Sequence, residues 1–368
     1  MPVFRFDKVL GIARGLKAFL NPEGRATASD AGRRRERDEN RKRTRRLTSE
    51  RKKRLRREIK SKKMELRRAR EDYLAAQDGV ESIESKRKKK NLNREIFELE
   101  RALRAAEDGV VVEQAMGALP DFVIIGAQKC GTTYFYHLLS QHPYVEPAAK
   151  KELHFFNDLF EEGVDWYRRC FPQPRLKDGR RTITGEATPS YLSHPHAARR
   201  MAEVIPHARL IALLRNPVDR AYSHYQFGVR RGFERLAFEE AIEAEESRLR
   251  DERDKVLEDE HHISFNLERF SYLARGVYVD QLLRCSEFFD REQMLVLKSE
   301  DFFERPRDTF ELVLNFLDLP DWEPETWKRD RKSKYEQKMD PATRRRLEEY
   351  FEPHNKRLYD YLGTDFGW

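Results

Sequence analysis

The chain has 368 residues, enough for one large α/β domain and an appendage, and 38% of them are charged. Residues 1–110 carry a net +15 and residues 111–368 a net −7, so the basic character belongs to the N-terminal third. No run of about 18 apolar residues occurs, so no transmembrane helix is expected, and three scattered cysteines (Cys130, Cys170, Cys285) argue against a disulfide framework or zinc site and fit a reducing cytoplasm.

Residues 1–30 mix Val3, Phe4, Phe6, Val9, Leu10 and Ile12 with Arg5, Lys8, Arg14 and Lys17. The cations interrupt any signal-peptide core. A basic amphipathic helix at an anionic membrane surface and a helix packed on another protein segment both fit. Residues 31–110 are rich in Arg, Lys and Glu, with Leu55, Ile59, Leu66 and Tyr73 near heptad spacing. Leu92, Ile96, Leu99 and Leu103 repeat at 4-3-4, an a/d seam. Asp78-Gly79 between the two runs suggests a turn. The pattern predicts a basic helical hairpin or coiled coil, with self-association as one use. Disorder competes near residues 33–54, where apolar surface is scarce. Runs such as Arg51-Lys52-Lys53-Arg54 could hold a polyanion or simply form a solvated helix face. No specific nucleic acid is expected.

From Leu119 the pattern changes. Strands are predicted over 122–126, 182–186, 209–214 and 294–298. Helices are predicted over 131–141, 195–204, 217–231, 236–249, 267–289, 306–317 and 341–361. This alternation predicts an α/β fold over 119–368: a P-loop-like parallel sheet flanked by helices, with ligands at the carboxyl ends of the strands.

The first strand, Phe122-Val123-Ile124-Ile125, runs into Gly126-Ala127-Gln128-Lys129-Cys130-Gly131-Thr132-Thr133. Strand, glycine loop and helix start together offer backbone N–H groups to a phosphate. Lys129 adds a cation, and Thr132 and Thr133 add hydroxyls. Cys130 fits a slot for a small side chain rather than a catalytic thiol. A Walker loop would place Lys directly after the second glycine. Here Thr132 stands there, and Lys129 comes two residues before Gly131. A second anion site follows the strand Leu210–Leu214. It reads Arg215-Asn216-Pro217-Val218-Asp219-Arg220-Ala221-Tyr222-Ser223. Arg215 leaves the strand end and Ser223 lies two turns into the next helix, a pairing suited to phosphate.

These segments resemble the loops of sulfotransferases that use 3′-phosphoadenosine 5′-phosphosulfate (PAPS). The 126–133 loop resembles the 5′-phosphosulfate loop, and Arg215 with Ser223 resembles the 3′-phosphate site. Residues 120–368 look like the heparan sulfate N- and 3-O-sulfotransferase group, in a bacterial-type form. Lys151-Glu152-Leu153-His154-Phe155-Phe156 resembles its E-x-H-F-F segment, and Glu186-Ala187-Thr188-Pro189 its E-K-T-P segment. Arg275-Gly276-Val277-Tyr278 resembles its R-G-x-Y, and Lys332-Ser333-Lys334 stands where a K-G-R loop closes over the cofactor. The ending Phe366-Gly367-Trp368 matches a final F-x-W.

The resemblance implies Glu152 as the base, with His154 beside it and Lys129 at the leaving phosphate. It implies donor binding by Gln128, Lys129, Cys130, Gly131, Thr132, Thr133, Arg215, Ser223, Tyr278, Lys332, Ser333 and Lys334. The cosubstrate implied is PAPS, with no metal. The acceptor implied is a hydroxyl or amine, favoured on a glycan, and the location is cytoplasmic or peripheral at the inner membrane face. Three departures stand out: Ala187 replaces a lysine, Asn157 replaces an acid, and a C-terminal cysteine pair is missing. They leave the acceptor open. Glu152 and His154, two residues apart, would face one cavity if the segment were extended.

Two other classes compete. A nucleotide-dependent kinase would need a Walker lysine and a metal-binding acid at a strand end, where Arg215 stands instead. A non-catalytic polyanion-binding protein on the same fold would have no use for Lys129, Glu152, Arg215 and Ser223 together.

Overall fold

The computed structural model describes residues 49–69, the helical positions 88, 91–92, 95–96, 99 and 103, and residues 117–327 and 338–368. The expected amphipathic N-terminus, the Asp78-Gly79 turn and the Lys332-Ser333-Lys334 loop lie outside the described residues. The chain divides into two compact units, Met1–Arg57 and Glu58–Trp368. In the first, the described residues 49–57 are helical and bury Leu55. In the second, Leu66 and Ala69 pack with Leu92 and Ile96, and Lys62 Nζ lies 2.7 Å from Glu95 Oε2.

The core of the larger unit is a five-stranded parallel sheet in the order β2-β5-β1-β6-β7. The strands are β1 (Phe122–Gly126), β2 (Val145–Pro147), β5 (Ile183–Ala187), β6 (Arg209–Leu214) and β7 (Met294–Lys298). All five residues of β1 are buried, because helices cover both faces of a parallel sheet and leave no polar side. Phe122 is in register with Gly185, and a Cβ there would approach the Phe122 ring to 2.5 Å. A small antiparallel hairpin joins β3 (Leu176–Lys177) and β4 (Arg180–Arg181).

The alternation expected from the sequence is present, with corrections; the single helix expected over 236–249 is two, Phe238–Glu243 and Glu245–Leu249. Strand β2 was not anticipated: three residues ending in Pro147 give no periodic signal, and the proline suits a sheet edge. The single helix expected over 267–289 is instead Phe265–Arg269, a 3₁₀ turn Ala274–Gly276 and Tyr278–Ser286. The break follows packing at Gly276, where a Cβ would meet the Phe351 ring at 2.8 Å. Arg275 lies in the 3₁₀ turn at this break.

Candidate active site

Three neighbouring strands deliver the expected site residues at their carboxyl ends. The loop 127–131 leaves β1, Glu152 is tied to the end of β5, and Arg215 leaves β6. In the sheet order these strands are adjacent.

The β1 loop is held at its start by Ala127 N–H donating to Leu213 O, 2.8 Å. Lys129 is left-handed (φ 73°) and its Nζ lies 4.4 Å from the Phe227 ring centroid. Burial, together with the positive charges of Arg230, Arg215 and Arg220, lowers the Lys129 pKa to about 8. Cys130 is fully buried, and burial raises its thiol to about 11, so it is not a nucleophile at neutral pH. Gly131 has φ 91°, and a Cβ there would meet the Phe303 ring at 2.7 Å. The helix Thr132–Leu139 that follows has no side-chain cap and no acid in its first turn. Its free N–H groups and dipole favour an anion. Thr132 is buried and Thr133 exposed.

The β6 side is built differently. Asn216 caps the helix Pro217–Arg231 by accepting from Val218 and Asp219 N–H at 3.0 and 3.3 Å. Ser223 is buried on this helix. Arg220 is fully buried and donates to the carbonyls of Ser271 and Tyr272, while its Nε and Nη1 have no partner among the described residues. The Tyr278 hydroxyl donates to Arg215 O at 2.8 Å and lies 3.9 Å from Cys130 Sγ. With 1% exposure, Tyr278 spends its polar atom on the protein backbone.

The 151–158 segment carries the acid–base groups. Glu152 N–H donates to Ala187 O, 3.0 Å. Its carboxylate meets Lys151 Nζ at 2.5 Å through Oε1 and His154 Nε2 at 4.0 Å through Oε2. Burial pushes the Glu152 pKa up, but the charge and hydrogen bond of Lys151, with His154 and Lys129, pull it below the ordinary carboxylate value. The two side chains approach one another, but not as an extended segment: Glu152 (φ 62°) and His154 (φ 58°) are both left-handed. Such backbone is uncommon for non-glycine residues and is held here by its surroundings. His154 N–H lies 3.4 Å from Thr188 Oγ1, and Phe155 N–H donates to Tyr191 OH at 2.9 Å. Thr188 and Tyr191, with Tyr167, in turn donate to the fully buried Glu186 at 2.6–2.9 Å. Burial raises the Glu186 pKa, against the pull of those three hydroxyls. On the other edge of His154, Nδ1 faces Asn157 Nδ2 (3.2 Å), Ser190 Oγ (3.5 Å) and Asp158 Oδ2 (3.7 Å).

Two residues were missed from sequence. Arg275 is half-buried at the helix break and donates to Gln128 Oε1 at 2.9 Å; loss of solvent around the guanidinium lowers its pKa to about 10. Lys151 touches Glu152. Both stood inside segments already singled out, but only the fold shows their contacts. A separate cavity of about 520 Å³, between Asn216 and Trp368, contains none of Lys129, Glu152 or His154.

A parallel α/β sheet with an uncapped helix start after β1 and a carboxylate–imidazole pair beside the neighbouring strand end is the architecture of a group-transfer enzyme. Residues 119–342 match the family model described as Sulfotransferase domain, and the chain belongs to that family. It is a sulfotransferase by family. It is 28% identical over 324 residues to the membrane-associated sulfotransferase kil1 of Dictyostelium discoideum, covering 70% of this chain and 68% of that protein. It is 28% identical over 277 residues to human heparan sulfate glucosamine 3-O-sulfotransferase 6, covering 68% and 73%. Against the bifunctional heparan sulfate N-deacetylase/N-sulfotransferase 1 of Caenorhabditis elegans it is 28% identical over 67% of this chain, but spans only 30% of that protein. A solved sulfotransferase structure from Alicyclobacillus acidocaldarius is 33% identical, covers 68% of this chain and 98% of its own, and superposes with a TM-score of 0.55.

Proposed function

We propose that this sulfotransferase takes the sulfuryl group of PAPS and passes it to a hydroxyl or amine of a glycan. The observation that carries this reading is the convergence of Lys129, Arg215 and Glu152 at the ends of three adjacent strands, close enough for the Lys129 charge to act on Glu152. The residues fit a multiply charged donor. The helix start at Thr132 is uncapped, and Arg220 keeps two buried guanidinium nitrogens that have no partner among the described residues. Gln128, Cys130, Gly131, Thr132 and Thr133 would hold the phosphosulfate end. Arg215 and Ser223 would hold the 3′-phosphate, and Tyr278 would fix the Arg215 turn. Lys332, Ser333 and Lys334 belong to this proposal from sequence alone. PAPS supplies the sulfuryl group.

Glu152 takes the proton of the acceptor hydroxyl, and its lowered pKa keeps it ionised for that task at neutral pH. His154 orients the carboxylate or the acceptor. Lys129 neutralises charge gathering on the leaving phosphate. The glycan acceptor rests on the relatives whose names specify heparan sulfate. The basic residues of 1–110 would hold a polyanionic acceptor or an anionic membrane surface from the cytoplasmic side, or mediate self-association; the membrane reading draws on the relative named membrane-associated. No helix among the described residues is long and apolar enough to cross a membrane.

The test is Glu152→Gln, assayed with radiolabelled PAPS and the unsulfated glycan heparosan. Binding of 3′-phosphoadenosine 5′-phosphate should persist while transfer is largely lost. An active E152Q with an inert His154→Ala would move the base to His154. Affinity for ATP equal to that for PAPS would overturn the donor.

A further inference from the structure

Glu152 is gripped from two sides. Lys151 Nζ sits 2.5 Å from Oε1, and Lys151 is itself largely shielded, with 18% of its side chain exposed against 47% for Glu152. Adjacent side chains ordinarily diverge along a chain. Here the left-handed turn at Glu152 folds its carboxylate back toward its predecessor. The neighbouring strand offers no cation of its own: residue 187, whose carbonyl receives Glu152 N–H, is a fully buried alanine. On the far side, His154 presents Nε2 to Oε2, its Nδ1 being engaged by Asn157 and Ser190. The titratable and charged groups around the carboxylate are therefore Lys151 on its own segment, His154 and Asp158 on the following turn, and Lys129 from the β1 loop.

We infer that Lys151 is the positioning residue of the catalytic base: its ammonium fixes Glu152 by Oε1 and leaves Oε2, beside His154, as the oxygen that meets the acceptor. This rests on Glu152 being the base. In the transfer step the acceptor proton passes to Oε2, and the acceptor oxygen or nitrogen bonds to sulfur. The bridging S–O bond breaks and its electron pair goes to the departing phosphate. Lys151 keeps its proton throughout and moves no atom. It acts by restricting the carboxylate to one rotamer and by keeping it ionised, as an opposite charge at hydrogen-bond distance does.

The inference has a direct readout that needs no acceptor. In full-length protein labelled with ¹³Cδ-glutamate, the Glu152 resonance is assigned by its loss in E152Q and titrated. Lys151→Met should raise its midpoint by about one pH unit, the lower end of the effect of a close opposite charge, given the exposure of Glu152. Lys151→Arg should keep the midpoint near that of the unaltered protein. With heparosan and PAPS, the acid limb of the kcat profile should move up by a similar interval in K151M and return in K151R. A Glu152 midpoint unmoved in K151M overturns the inference. So does an activity loss in K151M that is the same at every pH. Failure of the base assignment is distinguishable, because it shows as an active E152Q whatever the titration gives.

Discussion

The hydroxyl of Tyr278 donates to the carbonyl of Arg215 at 2.8 Å while lying 3.9 Å from the thiol of Cys130. One buried ring thereby touches the turn after β6 and the loop after β1. The two proposed anion sites are braced against each other by a residue with no charge of its own. Arg275, three residues earlier and across the helix break, does the same for Gln128. The segment 274–278 is thus a strut between the two proposed anion sites.

Tyr278→Phe should test the strut. It leaves the ring in place and orphans the Arg215 carbonyl. A stability loss of about 1 kcal/mol is expected, the usual worth of one buried hydrogen bond. Donor affinity should fall with it, as calorimetry with 3′-phosphoadenosine 5′-phosphate would show. Loss of stability with unchanged affinity would confine Tyr278 to the core.

Arg215→Ala should cost about 2–4 kcal/mol of binding to the same nucleotide, as truncating one partner of a partly buried charge pair does. Adenosine 5′-phosphosulfate, which lacks the 3′-phosphate, should lose far less. Equal losses for both ligands would place Arg215 elsewhere in the site.

Lys129→Ala should lower kcat by about 10²-fold or more, the scale for removing a donor aimed at developing charge. Its pKa of about 8 adds a pH signature. The ammonium is present below that value and lost above it, so kcat/KM for the donor should fall as pH rises through about 8. Lys129→Arg should push that limb upward, since guanidinium stays charged. A basic limb unmoved by K129R would assign it to another group.

The sheet was legible because parallel strands are apolar throughout: Phe122–Gly126, Arg209–Leu214 and Met294–Lys298 were placed residue for residue. The loops were legible as residue types, since anions need glycine, Lys, Arg and a helix start. What could not be read was conformation and reach. Glu152 and His154 meet through two left-handed residues rather than an extended pair, a state fixed by Ala187 at the end of β5 and by Thr188 and Tyr191 in the turn after it. Arg275 and Lys151 looked like parts of motifs, and their partners lie 147 residues away and next door respectively.

Glu186 offers a test of that support. Three hydroxyls, from Tyr167, Thr188 and Tyr191, converge on it in a fully buried pocket. Glu186→Ala leaves them orphaned, at roughly 1–3 kcal/mol each if they find no water. Denaturant unfolding should register a loss of about 3 kcal/mol or more. Glu186→Gln should fold better than the alanine variant and retain part of the activity, because its amide oxygen still accepts. Alanine and glutamine variants of equal stability would mean that the hydroxyls find other partners.

Glu245 carries the clearest pH dependence of stability. It is 5% exposed and accepts from Leu273 and Ala274 N–H at 2.7 and 2.8 Å, just before Arg275. Burial raises its pKa to about 7, against the pull of those backbone donors. A carboxyl raised in the folded state favours folding when protonated. That contribution is complete below the unfolded value of about 4.3 and is lost as pH rises through about 7. Glu245→Gln cannot ionise and escapes the loss. Relative to the unaltered protein, E245Q should therefore gain stability between pH 5 and pH 8, by up to about 3 kcal/mol from the interval between the two pKa values. Thermal unfolding of both proteins across that range checks it, and a constant gap in Tm would show that Glu245 is ionised in the fold throughout.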